Sequence, residues 1–192
     1  MTPRVVLFTR WPESGRAKTR LIPVLGADGA AALHGRLTER VLGAMRDSDL
    51  PMEVRATGAP LARFREWLGD GPVLVDQGDG DLGIRLLRAA EPPVILIGAD
   101  IPDLSAACLQ AAAAALRDAP AVIGPAEDGG YYLLGLGMPM PFLFEAMPWG
   151  TDQVFTITAE RLAARGVAPA LLPMLADLDR PEDLAHWPEL ML

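Results

Sequence analysis

Four short apolar runs constrain the fold most: Val5-Val6-Leu7-Phe8, Val73-Leu74-Val75, Val94-Ile95-Leu96-Ile97 and Val122-Ile123. They are too short for helices and apolar at consecutive positions, which is the pattern of strands covered on both faces. Helices are predicted between them, over residues 28–46, 61–68, 82–90 and 105–116. In the first, Leu33, Leu37, Val41, Leu42 and Met45 recur at helical spacing; in the last, Ser105 is a ready N-cap. Further strands are expected at Met52–Thr57 and Tyr131–Leu136. Strand and helix alternate, so the class is α/β, a mainly parallel sheet with helices on both faces. The 192 residues, 51% hydrophobic and 22% charged, suit one domain spanning residues 1–192 with a single substantial core.

Charge narrows the partners. The formal net charge is -8, which leaves no broad basic surface for a nucleic-acid backbone. No apolar run approaches the roughly 18–20 residues that span a bilayer. The lone Cys108 cannot form an intramolecular disulfide, and Val5 to Phe8 is too short for a secretory signal, so a cytoplasmic location is expected. The charge is also uneven. Residues 1–96 hold 13 basic and 12 acidic side chains, residues 97–192 hold 4 and 13. At the start of the chain, Arg4, Arg10, Arg16, Lys18 and Arg20 stand against a single acid, Glu13.

Ligands of open α/β sheets collect beyond the carboxyl ends of the strands, and polar clusters follow four strands here. After the first comes Arg10-Trp11-Pro12-Glu13-Ser14-Gly15-Arg16-Ala17-Lys18-Thr19-Arg20. It has neither the Gly-Lys of a Walker A loop nor a G-x-G-x-x-G, yet a glycine turn amid cations can hold phosphate. Lys18 is the only lysine beside 16 arginines, a compact point charge suited to a phosphate oxygen; the alternative is a solvated basic loop. Asp100, past Val94–Ile97, offers the hard oxygen that magnesium takes, or else a cap; Asp103 reads first as a cap. Neutralising Asp100 is expected to leave the unliganded fold as stable or slightly more so, by relieving repulsion among carboxylates. Asp128, before Gly129-Gly130, belongs to a tight turn or faces an acceptor. Gln77 and Gly78 precede a helix, where the Gln77 amide could read a nucleobase, with Asp81 as a helix cap. Asp179 is open to two roles, N-cap and metal ligand. His34, His186 and Cys108 are too scattered for a zinc site or Cys-His nucleophile. Trp11 could shelter a base or sugar, whereas Trp67, Trp149 and Trp187 read first as packing residues.

Together with Gly98-Ala99-Asp100-Ile101-Pro102, Gly124-Pro125-Ala126-Glu127-Asp128-Gly129-Gly130-Tyr131-Tyr132, Trp149-Gly150-Thr151 and Asp177-Leu178-Asp179-Arg180-Pro181, the first loop resembles the bacterial glycosyltransferase-A-like proteins grouped as a domain of unknown function. These are similar to 2-phospho-lactate guanylyltransferases and molybdenum-cofactor nucleotidyltransferases. The resemblance spans about residues 5–185. It implies a nucleotide-diphospho-sugar transferase fold, a nucleotide on the first loop and a divalent metal on Asp100. Arg10 stands where lysine is common, Ala99 where Thr or Ser is usual, and Arg180 where Thr is usual.

On these grounds a metal-dependent transferase is expected, with a lean to nucleotidyl transfer from an NTP to a phosphorylated small acceptor. Glycosyl transfer from a nucleotide sugar and non-catalytic nucleotide sensing are the alternatives. Arg10, Gly15, Arg16, Lys18, Arg20, Gln77 and Gly78 are expected to bind the nucleotide. Lys18, Arg20 and Asp128 are the catalytic candidates, and Asp100 with Asp179 the candidate ligands of Mg²⁺ or Mn²⁺.

Overall fold

The computed structural model describes residues 1–191, and the apolar runs lie in strands. The strands are β1 (Arg4–Arg10), β2 (Met52–Thr57), β3 (Val73–Asp76), β4 (Val94–Ile97), β5 (Ala121–Pro125), β6 (Tyr131–Leu136) and β7 (Ala170–Leu171). They form one sheet in the order β3-β2-β1-β4-β6-β5-β7. Among the described strands only β6 runs antiparallel to its neighbours. Residues 126–130 make too short a link for a parallel crossover, so β5 must double back into β6.

The helices are α1 (Ile22–Asp47), α2 (Leu61–Leu68), α3 (Leu82–Ala89), α4 (Ala106–Ala115) and α5 (Val154–Ala163). Val5, Leu7, Val54 and Ile95 pack with α1, α2 and α4 through Leu42, Phe64 and Leu109. Val6, Leu96, Ile123 and Leu134 pack with α3 and α5 through Leu86 and Leu162. Every residue of β4 is buried, because both of its faces are covered. Its carboxyl end is therefore a fixed platform for the Gly98-Ala99-Asp100 segment.

Several expectations need adjusting. α1 begins six residues before 28, but Gly26 (φ 71, ψ 167) interrupts it, so the regular stretch does begin near residue 28. α5 was not predicted, although Val154, Thr158 and Leu162 are buried at i, i+4, i+8 spacing. β7 is only two residues long, too short to give a periodic signal. Ser105 and Asp81 are N-caps, accepting from the Cys108 and Ile84 N–H groups. Asp103 is not a cap; it accepts from the Trp187 indole at 3.1 Å.

One packing cluster positions the site. Leu178, Trp187 and Leu190 sit against Leu33 and Leu37 of α1, which folds the C-terminal segment back across the sheet's carboxyl edge. Asp179 thereby arrives beside the first loop, more than 150 residues away in sequence. Among the described residues no helix is long and apolar enough to cross a membrane.

Candidate functional site

Three chain segments meet at the carboxyl end of β4. Lys18 adopts left-handed backbone (φ 47, ψ 47), and its side chain is only 3% exposed. Its ammonium lies 2.6 Å from Asp100 Oδ1 and 3.7 Å from Asp179 Oδ1 and donates to the Leu178 carbonyl. A lysine has three N–H donors; here two have close acceptors, Asp100 and the Leu178 carbonyl, and Asp179 adds a longer ionic contact. The Leu178 N–H donates to the Asp100 carbonyl at 2.9 Å, closing the loop between β4 and the C-terminal segment. Arg20 pairs with the other oxygen of Asp179.

Two clefts open on either side of this junction. The first, about 360 Å³, is lined by Arg10, Arg16, Lys18, Thr19, Arg20, His34, Asp100 and Asp179. Burial lowers the pKa of His34 below its ordinary value, against an opposing pull from Asp100, and its Nε2 donates to the Arg10 carbonyl at 3.1 Å. The second cleft, about 370 Å³, lies over β4 and β6. Its walls are apolar: Phe8, Leu86, Leu96, Leu134 and Val154, with Tyr131 and Trp149 meeting edge to face at 6.4 Å and 85°. Asp100 and Asp179 line it too, joined by Asp128 and Asp177. Partial burial raises the Asp177 pKa above the ordinary carboxyl value, and the neighbouring Asp128 adds to the rise.

Two glycines shape this second cleft. A Cβ on Gly83 would stand 2.9 Å from the Trp149 indole nitrogen, so α3 and the indole touch directly. Gly129 has φ +86, and a Cβ there would fall 2.2 Å from the Asp152 carbonyl oxygen. The 3.0 Å bond from the Phe155 N–H to the Gly129 carbonyl thus locks the β5–β6 turn to the start of α5.

Of the predicted site residues, Arg10, Arg16, Lys18, Arg20, Asp100 and Asp179 are brought together in the cationic cleft. Asp128 stands across the junction, exposed, with Oδ1 accepting from the Gly130 N–H at 2.8 Å. Gly15 supplies a turn at φ 78 but lines neither cleft. Gln77 does not stand ready to read a base. It is 6% exposed, its amide donates to the Thr9 and Arg55 carbonyls at 2.9 Å each, and it ties the ends of β1 and β2 together. Gly78 lies beside it under the Arg88 guanidinium, outside both clefts. Asp179 is not the N-cap of the last turn; Arg180 is, and Asp183 accepts from the Asp179 and Arg180 N–H groups. Trp11 packs edge-on against Phe64 and Trp67 under Arg63, while Trp149, expected as packing, lines a cleft. Asp177, Tyr131 and Thr19, which carried no role of their own within the motifs that contain them, join the site, as does His34, read only as too isolated for zinc.

Among the described residues no group of three or more His, Cys, Asp or Glu side chains is arranged to hold a metal ion. The donor set nevertheless fits magnesium or manganese bound jointly with a substrate. Asp100 and Asp179 offer hard oxygens and share a cationic partner, and Mg²⁺ commonly takes one or two carboxylates and completes its shell with phosphates and water.

The family described as "uncharacterized protein conserved in bacteria" (DUF2064) matches residues 40–151. No curated protein matches the chain. Among solved structures, a candidate nucleotide-diphospho-sugar transferase from Desulfovibrio desulfuricans G20 superposes with a TM-score of 0.89 at 27% identity, covering 100% of this chain and 97% of that one. A nucleotidyl transferase from Methanothermobacter thermautotroptrophicus has a TM-score of 0.61 at 18% identity, with 99% and 97% covered. A protein of Mycobacterium tuberculosis H37Rv in complex with manganese has a TM-score of 0.53 at 15% identity, with 98% and 99% covered. The fold is that of the nucleotide-diphospho-sugar transferases.

Proposed function

The chain belongs to the DUF2064 family of bacterial proteins, and from that premise we propose that it acts, as one domain, in metal-assisted nucleotidyl transfer from an NTP to a small acceptor. One observation carries the reading: the cationic and the apolar cleft share Asp100 and Asp179 as a common wall. A phosphate chain in one and a nucleophile in the other would meet over the same two carboxylates.

In this reading the triphosphate lies against Arg10, Arg16 and Arg20, whose forked donors suit phosphate oxygens. Arg20 is 62% exposed, free to turn from Asp179 toward the leaving group. Lys18 holds Asp100 and Asp179 in place. An acceptor oxygen attacks the α-phosphorus, the bond to the bridging oxygen breaks, and pyrophosphate departs along the arginines. Asp128 is the group placed to take a hydroxyl proton. Asp100 and Asp179 would hold Mg²⁺ or Mn²⁺, which when bound draws charge from the phosphate oxygens; the manganese complex of the mycobacterial neighbour supports that choice.

A thermal-shift panel of NTPs, NDPs and nucleotide sugars, each with and without Mn²⁺, tests the donor, because a ligand of the folded state raises the melting temperature. Metal-dependent stabilisation by a triphosphate, followed by pyrophosphate release on adding an acceptor, is the expected result. Stabilisation by nucleotide sugars alone, with release of NDP, would replace this reading with glycosyl transfer. A triphosphate that binds and is never turned over would leave a nucleotide sensor.

A further inference from the structure

The apolar cleft has the opposite charge pattern to its neighbour. Asp100, Asp128, Asp177 and Asp179 line it, and no lysine, arginine or histidine does. Lys18 and Arg20 behind it are engaged with Asp100 and Asp179, and Arg161, near Tyr131, donates to the Phe142 and Leu143 carbonyls. Asp128 has a backbone N–H as its partner, and among the described residues neither it nor Asp177 forms an ion pair. Resting on nucleotidyl transfer for its reaction, we infer that the acceptor held in this cleft is a non-anionic alcohol with an apolar or aromatic body, not the phosphorylated acceptor expected from the sequence.

The physical case has two parts. A phosphate monoester would bring a charge of about −1.5 to −2 into a cleft whose charged side chains are all carboxylates, and with a cation on Asp100 and Asp179 the charges of Asp128 and Asp177 still stand uncompensated against it. An uncharged body meets the right-angled corner of Tyr131 and Trp149 and the floor of Leu86 and Leu134, surfaces that gain from covering apolar and aromatic area. Asp128 at the rim then has a role that a phosphate nucleophile would not need. The hydroxyl oxygen bonds to the α-phosphorus, its proton passes to the Asp128 carboxylate, and the bond to the pyrophosphate oxygen breaks with its electron pair.

Matched pairs test the substrate class without any nucleotide: 2-phenylethanol, geraniol and cyclohexylmethanol, each against its phosphate monoester. Saturating tripolyphosphate occupies the cationic cleft throughout. The readout is quenching of tryptophan fluorescence that is absent in Trp149→Phe. The alcohols are expected to quench at concentrations at least about tenfold below their esters, and Asp128→Asn with Asp177→Asn should shrink that gap. Esters binding as well as the alcohols, no Trp149-dependent quenching by any alcohol, or quenching by free nucleosides in preference to alcohols would each overturn the inference. Failure of pyrophosphate release alongside a clear alcohol preference would count against the transfer reaction alone and leave the ligand class standing.

Discussion

The ammonium of Lys18 stands 2.6 Å from the Asp100 carboxylate, joining the only lysine of the chain to the acid at the end of the central strand. The lysine end is buried at 3% exposure, while Asp100 is 53% exposed. Lys18→Met keeps the stem and removes the charge, leaving Asp100 and Asp179 to repel one another. A loss of roughly 1–3 kcal/mol is expected, below the range for a fully buried pair because water screens Asp100. Mn²⁺ should restore part of the melting temperature in this variant, since a bound cation takes over the neutralising role. A variant that melts early and ignores Mn²⁺ would remove both carboxylates from any metal site.

Asp100→Asn separates the ion pair from the repulsion. Repulsion among carboxylates alone predicts an unliganded protein as stable as the parent or more so. The pairing with Lys18 reverses that sign, because the substitution leaves a buried ammonium facing a neutral amide oxygen, with the Leu178 carbonyl and the more distant Asp179 as its other partners. The expected result is a loss of about 1–2 kcal/mol in chemical denaturation, together with loss of any metal-dependent nucleotide binding in calorimetry. Unchanged metal dependence would make Asp100 a structural residue.

Gln77→Leu is expected to cost about 1–3 kcal/mol, since it removes the two hydrogen bonds that the buried amide donates to the Thr9 and Arg55 carbonyls, and to leave base preference unaltered. Denaturation curves and a nucleotide panel on the same variant check both halves. A shift in base preference at unchanged stability would return Gln77 to the nucleotide.

That residue marks where the sequence stops being legible. Consecutive apolar residues in Val94–Ile97 and the helical spacing in α1 are local signals, and they placed the parallel part of the sheet and its helices. The cationic loop was legible because its charges are contiguous. Gln77 was misread, and the pairing of Lys18 with Asp100 not foreseen, for one reason: an amide or ammonium in a loop looks identical in sequence whether it faces solvent or protein acceptors. For Gln77 the side-by-side ends of β1 and β2 decide that, and for Lys18 the end of β4 and the return of the C-terminal segment. Trp149 was read as packing and Asp177 given no role, because the neighbours that define them, Tyr131 and Asp128, lie on other elements.

Gly129→Ala is expected to destabilise by more than about 2 kcal/mol, because the backbone is left-handed there and the new methyl would overlap the Asp152 carbonyl. The lock between the β5–β6 turn and α5 should open with it, bringing Trp149 into water. A red shift of tryptophan emission in the folded variant, lost on adding Trp149→Phe, measures this. Wild-type stability and emission would mean that the turn moves independently of α5.

His34 gives a pH signature whose sign is set by its surroundings. Burial lowers its pKa below 6.5. Asp100 and the hydrogen bond to the Arg10 carbonyl pull it upward, while the charges of Lys18 and Arg10 push it down. The folded protein therefore holds the ring neutral at a pH where the unfolded chain has begun to protonate it. For a depressed histidine the contribution is fully present above the unfolded pKa, near 6.5, and is lost as pH falls toward the lower folded pKa, with a slope of at most about 1.4 kcal/mol per pH unit. His34→Gln keeps an N–H that can reach the Arg10 carbonyl and removes the titration. Urea denaturation from pH 7.5 down to pH 5 should show the parent losing stability faster than the variant below about pH 6.5. Parallel curves across that range would mean that His34 titrates as it does in the unfolded chain, and that the cationic cleft does not hold its ring neutral.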